Sequence, residues 1–79
     1  MQSLDLSKII QNAHAQLRKS EQKVADYVLH HQSAVVQMRI VDLAAAAAVS
    51  EPTVVRFCQA LGFDGFQDFK LSLAQCIAT

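Results

Sequence analysis

Seventy-nine residues carry seven Lys or Arg against seven Asp or Glu, for a net charge of zero, and 52% of them are apolar. That supports one small core and little more, so a single domain over residues 1–79 is expected. No apolar run reaches the length of a membrane span, and the N-terminus lacks a basic-then-apolar leader, so a soluble, cytoplasmic chain with no membrane partner is expected.

Leu6, Ile9, Ile10, Ala13 and Leu17 recur at helical spacing and predict a first helix from about residue 5 to 17, with Met1 to Leu4 fraying. Arg18 and Lys19 then fall at its C-terminal end, where cations favour the helix dipole. Ser20 is the expected cap of a second helix, with Val24, Tyr27 and Val28 on its buried face and His31 at the boundary. Gln32 to Met38 is less periodic, and only a short helix at Ser33 to Val36 is expected there. Neither proline nor glycine interrupts the first 51 residues, so no linker is visible.

The next stretch organises the chain. Ile40, Leu43, Ala44 and Ala47 share one helical face, and after a break at Ala48, Val49 and Ser50 the same spacing returns at Val54, Phe57, Cys58 and Leu61. Ser50 is a good N-cap, Pro52 sits in the first turn where no intrahelical donor is lost, and Gly62 can end the helix in the left-handed conformation. Two short helices joined by a tight turn, with methyl-sized Ala44 at their crossing, predict a helix-turn-helix over residues 40–62. The turn asks for a positive φ at Ala48, which costs an alanine on the order of 1 kcal/mol.

Beyond Gly62, Phe63-Asp64-Gly65 reads as a turn, with Asp64 as N-cap of a last helix and Gln67 as the return partner of a capping box. Phe66, Phe69, Leu73, Cys76 and Ile77 make its apolar stripe, and the four phenylalanines between 57 and 69 are expected in the core. With no strand-like alternation, the fold class is all-α: a compact bundle of about five helices containing a homeodomain-like helix-turn-helix.

The run VSEPTVVRFCQALGFDGFQDFK, residues 49–70, resembles the N-terminal domain of RpiR-type bacterial transcription regulators. That family's pattern runs roughly V-S-x-x-T-V-x-R-F-x-x-x-L-G-F-x-G-F-x-x-F-K. Upstream, SEQKVADYVL at 20–29 is similar to the family's S-E-x-K-V-A-x-Y-I-L helix. Three departures stand out: Ala48 for the usual Gly, Arg39 where a Ser or Thr cap is common, and Gln59–Ala60 for a frequently basic pair. The resemblance implies sequence-specific binding to double-stranded DNA. It also implies a sugar-isomerase-like domain that senses phosphorylated sugars and controls carbohydrate genes. That domain is absent from these residues, so the chain reads as the N-terminal fragment of a longer regulator.

Catalysis finds no support: no nucleophile–base spacing, no phosphate-cradling glycine loop and only scattered carboxylates, so no enzyme and no cofactor are expected. Cys58 and Cys76, with His14, His30 and His31, lack metal-ligand spacing, and Cys58 reads as a buried thiol. The second helix of the motif is the candidate site. Opposite Val54 it presents Pro52, Arg56 and Gln59, flanked by Thr53 and Val55. Arg56 suits guanine, Gln59 adenine, and Val55 or Pro52 a thymine methyl, while Glu51 can accept from a cytosine amino group. Ser50 and Thr53 hydroxyls suit phosphates, and Lys70 either touches a phosphate or covers Phe66.

Charge tempers this reading. Residues 1–39 sum to +2 and residues 40–79 to −2, so the half with the reading helix is slightly acidic. A helical protein-interaction module that keeps the fold without binding DNA is the competing expectation. Weak electrostatics also favour a homodimer, built through the first helix (Ile9, Ile10, Ala13, Leu17) and the last (Leu71, Leu73, Ala74, Ile77).

Overall fold

The computed structural model describes residues 6–78; the expectations for residues 1–5 lie outside them. Six α-helices form, and the described residues contain no strand: α1 (Leu6–Ala13), α2 (Lys19–His30), α3 (Gln32–Val36), α4 (Ile40–Ala47), α5 (Glu51–Ala60) and α6 (Phe66–Ala78). The all-α expectation holds, and the short α3 brings the number to six.

The first helix stops four residues before the expected Leu17. The chain tightens into a 3-10 turn at His14–Gln16, and Leu17 is extended yet still buried. A side chain of α2 reaches back to two carbonyls of this turn, one of which, His14 O, also accepts from Leu17 N–H at 3.2 Å. Gln22 Nε2 donates to the carbonyls of His14 (3.0 Å) and Leu17 (3.2 Å), while His14 Nε2 lies 2.9 Å from Asp26 Oδ1.

Arg18, not Ser20, occupies the cap position of α2. The Glu21 carboxylate, third in the helix, accepts from the Arg18 backbone N–H at 3.3 Å. Arg18 and Lys19 therefore stand at a helix start, the end that favours anions, and Glu21 offsets them there. At the other end of α2, His30 and His31 point their Nδ1 atoms at the carbonyls of Asp26 (2.8 Å) and Tyr27 (3.1 Å). His31 is exposed and stacks on Tyr27, 4.2 Å between ring centroids.

α2 is the central element, packed against α1, α3, α4 and α5, and α3 lies on α6. Leu6, Ile10, Val24, Val28, Val35, Leu43, Val54, Phe57, Phe69 and Leu73 are all but fully buried, along with Ala25, which the helical spacing alone had not singled out. Phe69 meets Phe57 and Phe63 edge to face, with centroids 5.5 and 5.7 Å apart, the arrangement ring quadrupoles favour. Phe57, Phe66 and Phe69 are core as expected, while Phe63 is half-buried against it.

α4 packs against α5, and Ala44 is buried, as the motif requires. Ala48 takes φ 61°, as expected, and the turn closes with Val49 N–H donating to Ala44 O (2.9 Å) and Ala48 N–H to Ala45 O (3.2 Å). α5 ends on the same pattern: Phe63 N–H donates to Cys58 O and Gly62 N–H to Gln59 O, both at 3.0 Å, with Gly62 at φ 100°.

α6 begins one residue later than its expected cap allows. Gly65 supplies the carbonyl that Phe69 N–H reaches at 3.1 Å, so Asp64 lies just outside the cap position. Asp68, not Gln67, folds back, its carboxylate accepting from Asp64 N–H at 3.1 Å. Of the surfaces expected to pair two copies, Ile10, Leu17 and Leu73 are spent on the monomer core, whereas Leu71 (63% exposed) and Ile77 (41%) remain outward on α6.

Candidate nucleic-acid interface

α5 owes its position to its first turn. Ser50 is extended (φ −81°, ψ 160°), and its Oγ accepts from Thr53 N–H at 3.3 Å. Pro52 occupies the first turn, where its missing N–H is no loss. Val54, Phe57 and Cys58 are fully buried against α2, α4 and α6, which turns Glu51, Pro52, Arg56, Gln59 and Ala60 to the outside.

Burial pushes the Cys58 thiol up to about 12, so it stays neutral on the buried side of α5. Among the described residues no three His, Cys, Asp or Glu side chains gather as metal ligands, and no helix is long and apolar enough to cross a membrane.

The sequence-predicted site residues divide into three groups. Glu51, Pro52, Arg56 and Gln59 share the exposed face, with Val55 half-buried at its edge. Gln59 also makes a long bond, 3.4 Å from Nε2 to the Asp64 carbonyl. Thr53 is not on an open flank: it is 6% exposed, and its hydroxyl lies 2.9 Å from Ser50 Oγ. Lys70 is half-buried, its Nζ donating to the Met38 carbonyl at 2.8 Å and standing 5.3 Å from the Phe66 ring centre. It thus covers Phe66 and also ties α6 to the residues just before α4.

Sequence reasoning missed one neighbour of this face. An open depression of about 490 Å³ between the start of α4 and the outer side of α5 is lined by Ile40, Glu51, Pro52, Val55 and Arg56. Ile40 shares a helical face with Leu43, Ala44 and Ala47 yet is only half-buried, because the first residue of a helix has no preceding turn to cover it.

The sequence that builds this helix-turn-helix is matched over residues 4–79 by a family model described as "Helix-turn-helix domain, rpiR family". The chain belongs to that family. It is a DNA-binding domain of the transcription-regulator type.

Among curated relatives, the HTH-type transcriptional regulator HexR of Pseudomonas aeruginosa is 44% identical over 70 residues, 89% of this chain and 25% of HexR. The bifunctional protein glk of Paraburkholderia xenovorans is 50% identical over 58 residues, 73% of this chain and 9% of glk. The chain therefore spans a quarter or less of either relative. Among solved structures, Vibrio vulnificus NanR complexed with ManNAc-6P superposes with a TM-score of 0.91 at 34% identity, covering 94% of this chain and 28% of NanR.

Proposed function

We propose that the domain reads DNA in the major groove through the outer face of α5. The observation that carries this is the joint exposure of Glu51, Pro52, Arg56 and Gln59 opposite the buried Val54, Phe57 and Cys58. Arg56 donates two bonds to guanine O6 and N7, Gln59 pairs with adenine N6 and N7, and Glu51 accepts from a cytosine amino group. Val55 and Pro52 take apolar contacts. With Thr53 as donor to Ser50, the Ser50 proton is left for a phosphate. Lys70 spends one donor on Met38 and has two left for the backbone beside α4.

So few cations neutralise few phosphates, which supports a homodimer reading two half-sites about 34–36 Å apart. Outward Leu71 and Ile77 support α6 as the contact, and sedimentation equilibrium at micromolar concentration tests it: a clean monomer mass removes the pairing. The sugar phosphate held by NanR supports a regulator of carbohydrate genes that receives such a signal outside these 79 residues. In this reading the domain works in the cytoplasm and catalyses nothing itself.

Arg56→Ala tests the base reading. Specific binding weakens by about 1–3 kcal/mol, preference relaxes at one base pair, and circular dichroism is unchanged because the side chain is exposed. Equal loss on random duplex would make Arg56 a phosphate contact instead.

A further inference from the structure

The depression at the α4–α5 corner is apolar where a groove-reading surface is ordinarily polar. Three of its five lining residues are Ile40, Pro52 and Val55, and they come from two helices. Pro52 and Val55 stand three apart on α5, hence side by side, and Ile40 is the first residue of α4. Base-pair edges in the major groove offer donors and acceptors, with a single apolar group among them, the C5-methyl of a pyrimidine. A wall of three aliphatic side chains on the face that meets the groove has that one complement.

We infer that Ile40, Pro52 and Val55 form a receptor for the C5-methyl group of one pyrimidine in the bound site. Glu51 and Arg56, on the rim of the same depression, read the polar edges of the adjoining bases. The inference rests on the DNA reading above and extends it in two respects. It makes Ile40, outside the reading helix, a specificity-determining residue, and it commits one position of the operator to a methyl group. Thymine carries this group in every duplex and 5-methylcytosine carries it in modified ones.

The test begins by selecting preferred duplexes from a randomised library with the 79-residue chain. Each thymine is then replaced by deoxyuridine, and each cytosine by 5-methylcytosine, one at a time, with Kd read by fluorescence anisotropy at fixed salt. The expected result is one position where losing the thymine methyl weakens binding about three- to fivefold, the scale of one buried methyl. If 5-methylcytosine is the source, one cytosine instead gains by a similar factor on methylation. In Val55→Ala and in Ile40→Ala the sensitivity at that position falls below about twofold by the same scale. The base substitutions leave the protein untouched, so they decide even if a variant folds poorly. A selected duplex that outbinds random DNA yet responds to neither change overturns the methyl receptor and leaves the groove reading standing. Failure to prefer any duplex over random DNA overturns both.

Discussion

α4 and α5 stop on the same pair of hydrogen bonds and reach it with different residues. In each, a residue with positive φ donates to the carbonyl three positions back, and the next donates five positions back. Gly62 does this for α5 without a side chain to clash, whereas Ala48 does it for α4 with a Cβ, at a cost on the order of 1 kcal/mol. Their φ angles explain why each is tolerated: 61° lies in the small left-handed well open to L-residues, and 100° lies beyond it. Ala48 is also held by the residues that follow it. Half-buried Val49 follows it, and Ser50 then begins α5 through its own cap. The hydrogen bonds and the flanking residues thus impose the turn on Ala48, whereas Gly62 is there because its angle admits little else.

Exchanging the two residues puts that difference to measurement. Gly62→Ala should lower stability by about 1–2 kcal/mol, all of it backbone strain, since nothing lies within 4 Å of where the new Cβ would stand. Chemical denaturation reads this directly, and an unchanged midpoint would mean that the α5 turn relaxes freely. Ala48→Gly should act in the opposite direction by about 0.5–1 kcal/mol, the relief of strain less the extra unfolded-state entropy of glycine. A lower melting temperature in that variant would show that the turn holds Ala48 at no cost.

The same contrast explains what the sequence made legible. Ser50, Pro52, Gly62 and the turn at Ala48 act through neighbours within a few residues, and each was readable from its own position and spacing. Arg18 has no legible cap signature of its own, because an arginine side chain only donates, and Arg39 is marked only by standing where a Ser or Thr cap is common. The acid three residues later, Glu21 or Asp42, was the available signal. Thr53 was placed on the open flank because spacing does not register that a short hydroxyl can be satisfied by Ser50 and packed under. Lys70 reaches a carbonyl 32 residues away, and Ile40 is uncovered by the absence of a turn before it. Both facts belong to tertiary structure and have no local signature. The outer face of α5 was legible as a face, since one strongly apolar side fixes the other.

The smallest effect sharpens the comparison at the opposite ends of the two helices. Ser50 caps α5 by accepting a bond, whereas Arg39 cannot accept one, so α4 has half a capping box: Asp42 accepts from Arg39 N–H at 3.0 Å and from Nε at 3.4 Å. Arg39→Ser supplies the missing acceptor and should stabilise the domain by about 0.5 kcal/mol, the low end for a cap at an exposed helix start. The pH dependence separates this gain from other causes. The backbone N–H of Arg39, and secondarily its side chain, hold the Asp42 carboxyl below its ordinary value of 3.8. A depressed carboxylate contributes stability that is fully present above its unfolded value and lost as pH falls through the folded one. The serine variant keeps the backbone bond and loses the guanidinium, so its Asp42 is depressed less and forfeits less in acid. The advantage of Arg39→Ser in melting temperature should therefore be smaller at pH 7 and grow as pH is lowered through the carboxylate range. An advantage that shrinks in acid would mean that the serine acts elsewhere than at the cap.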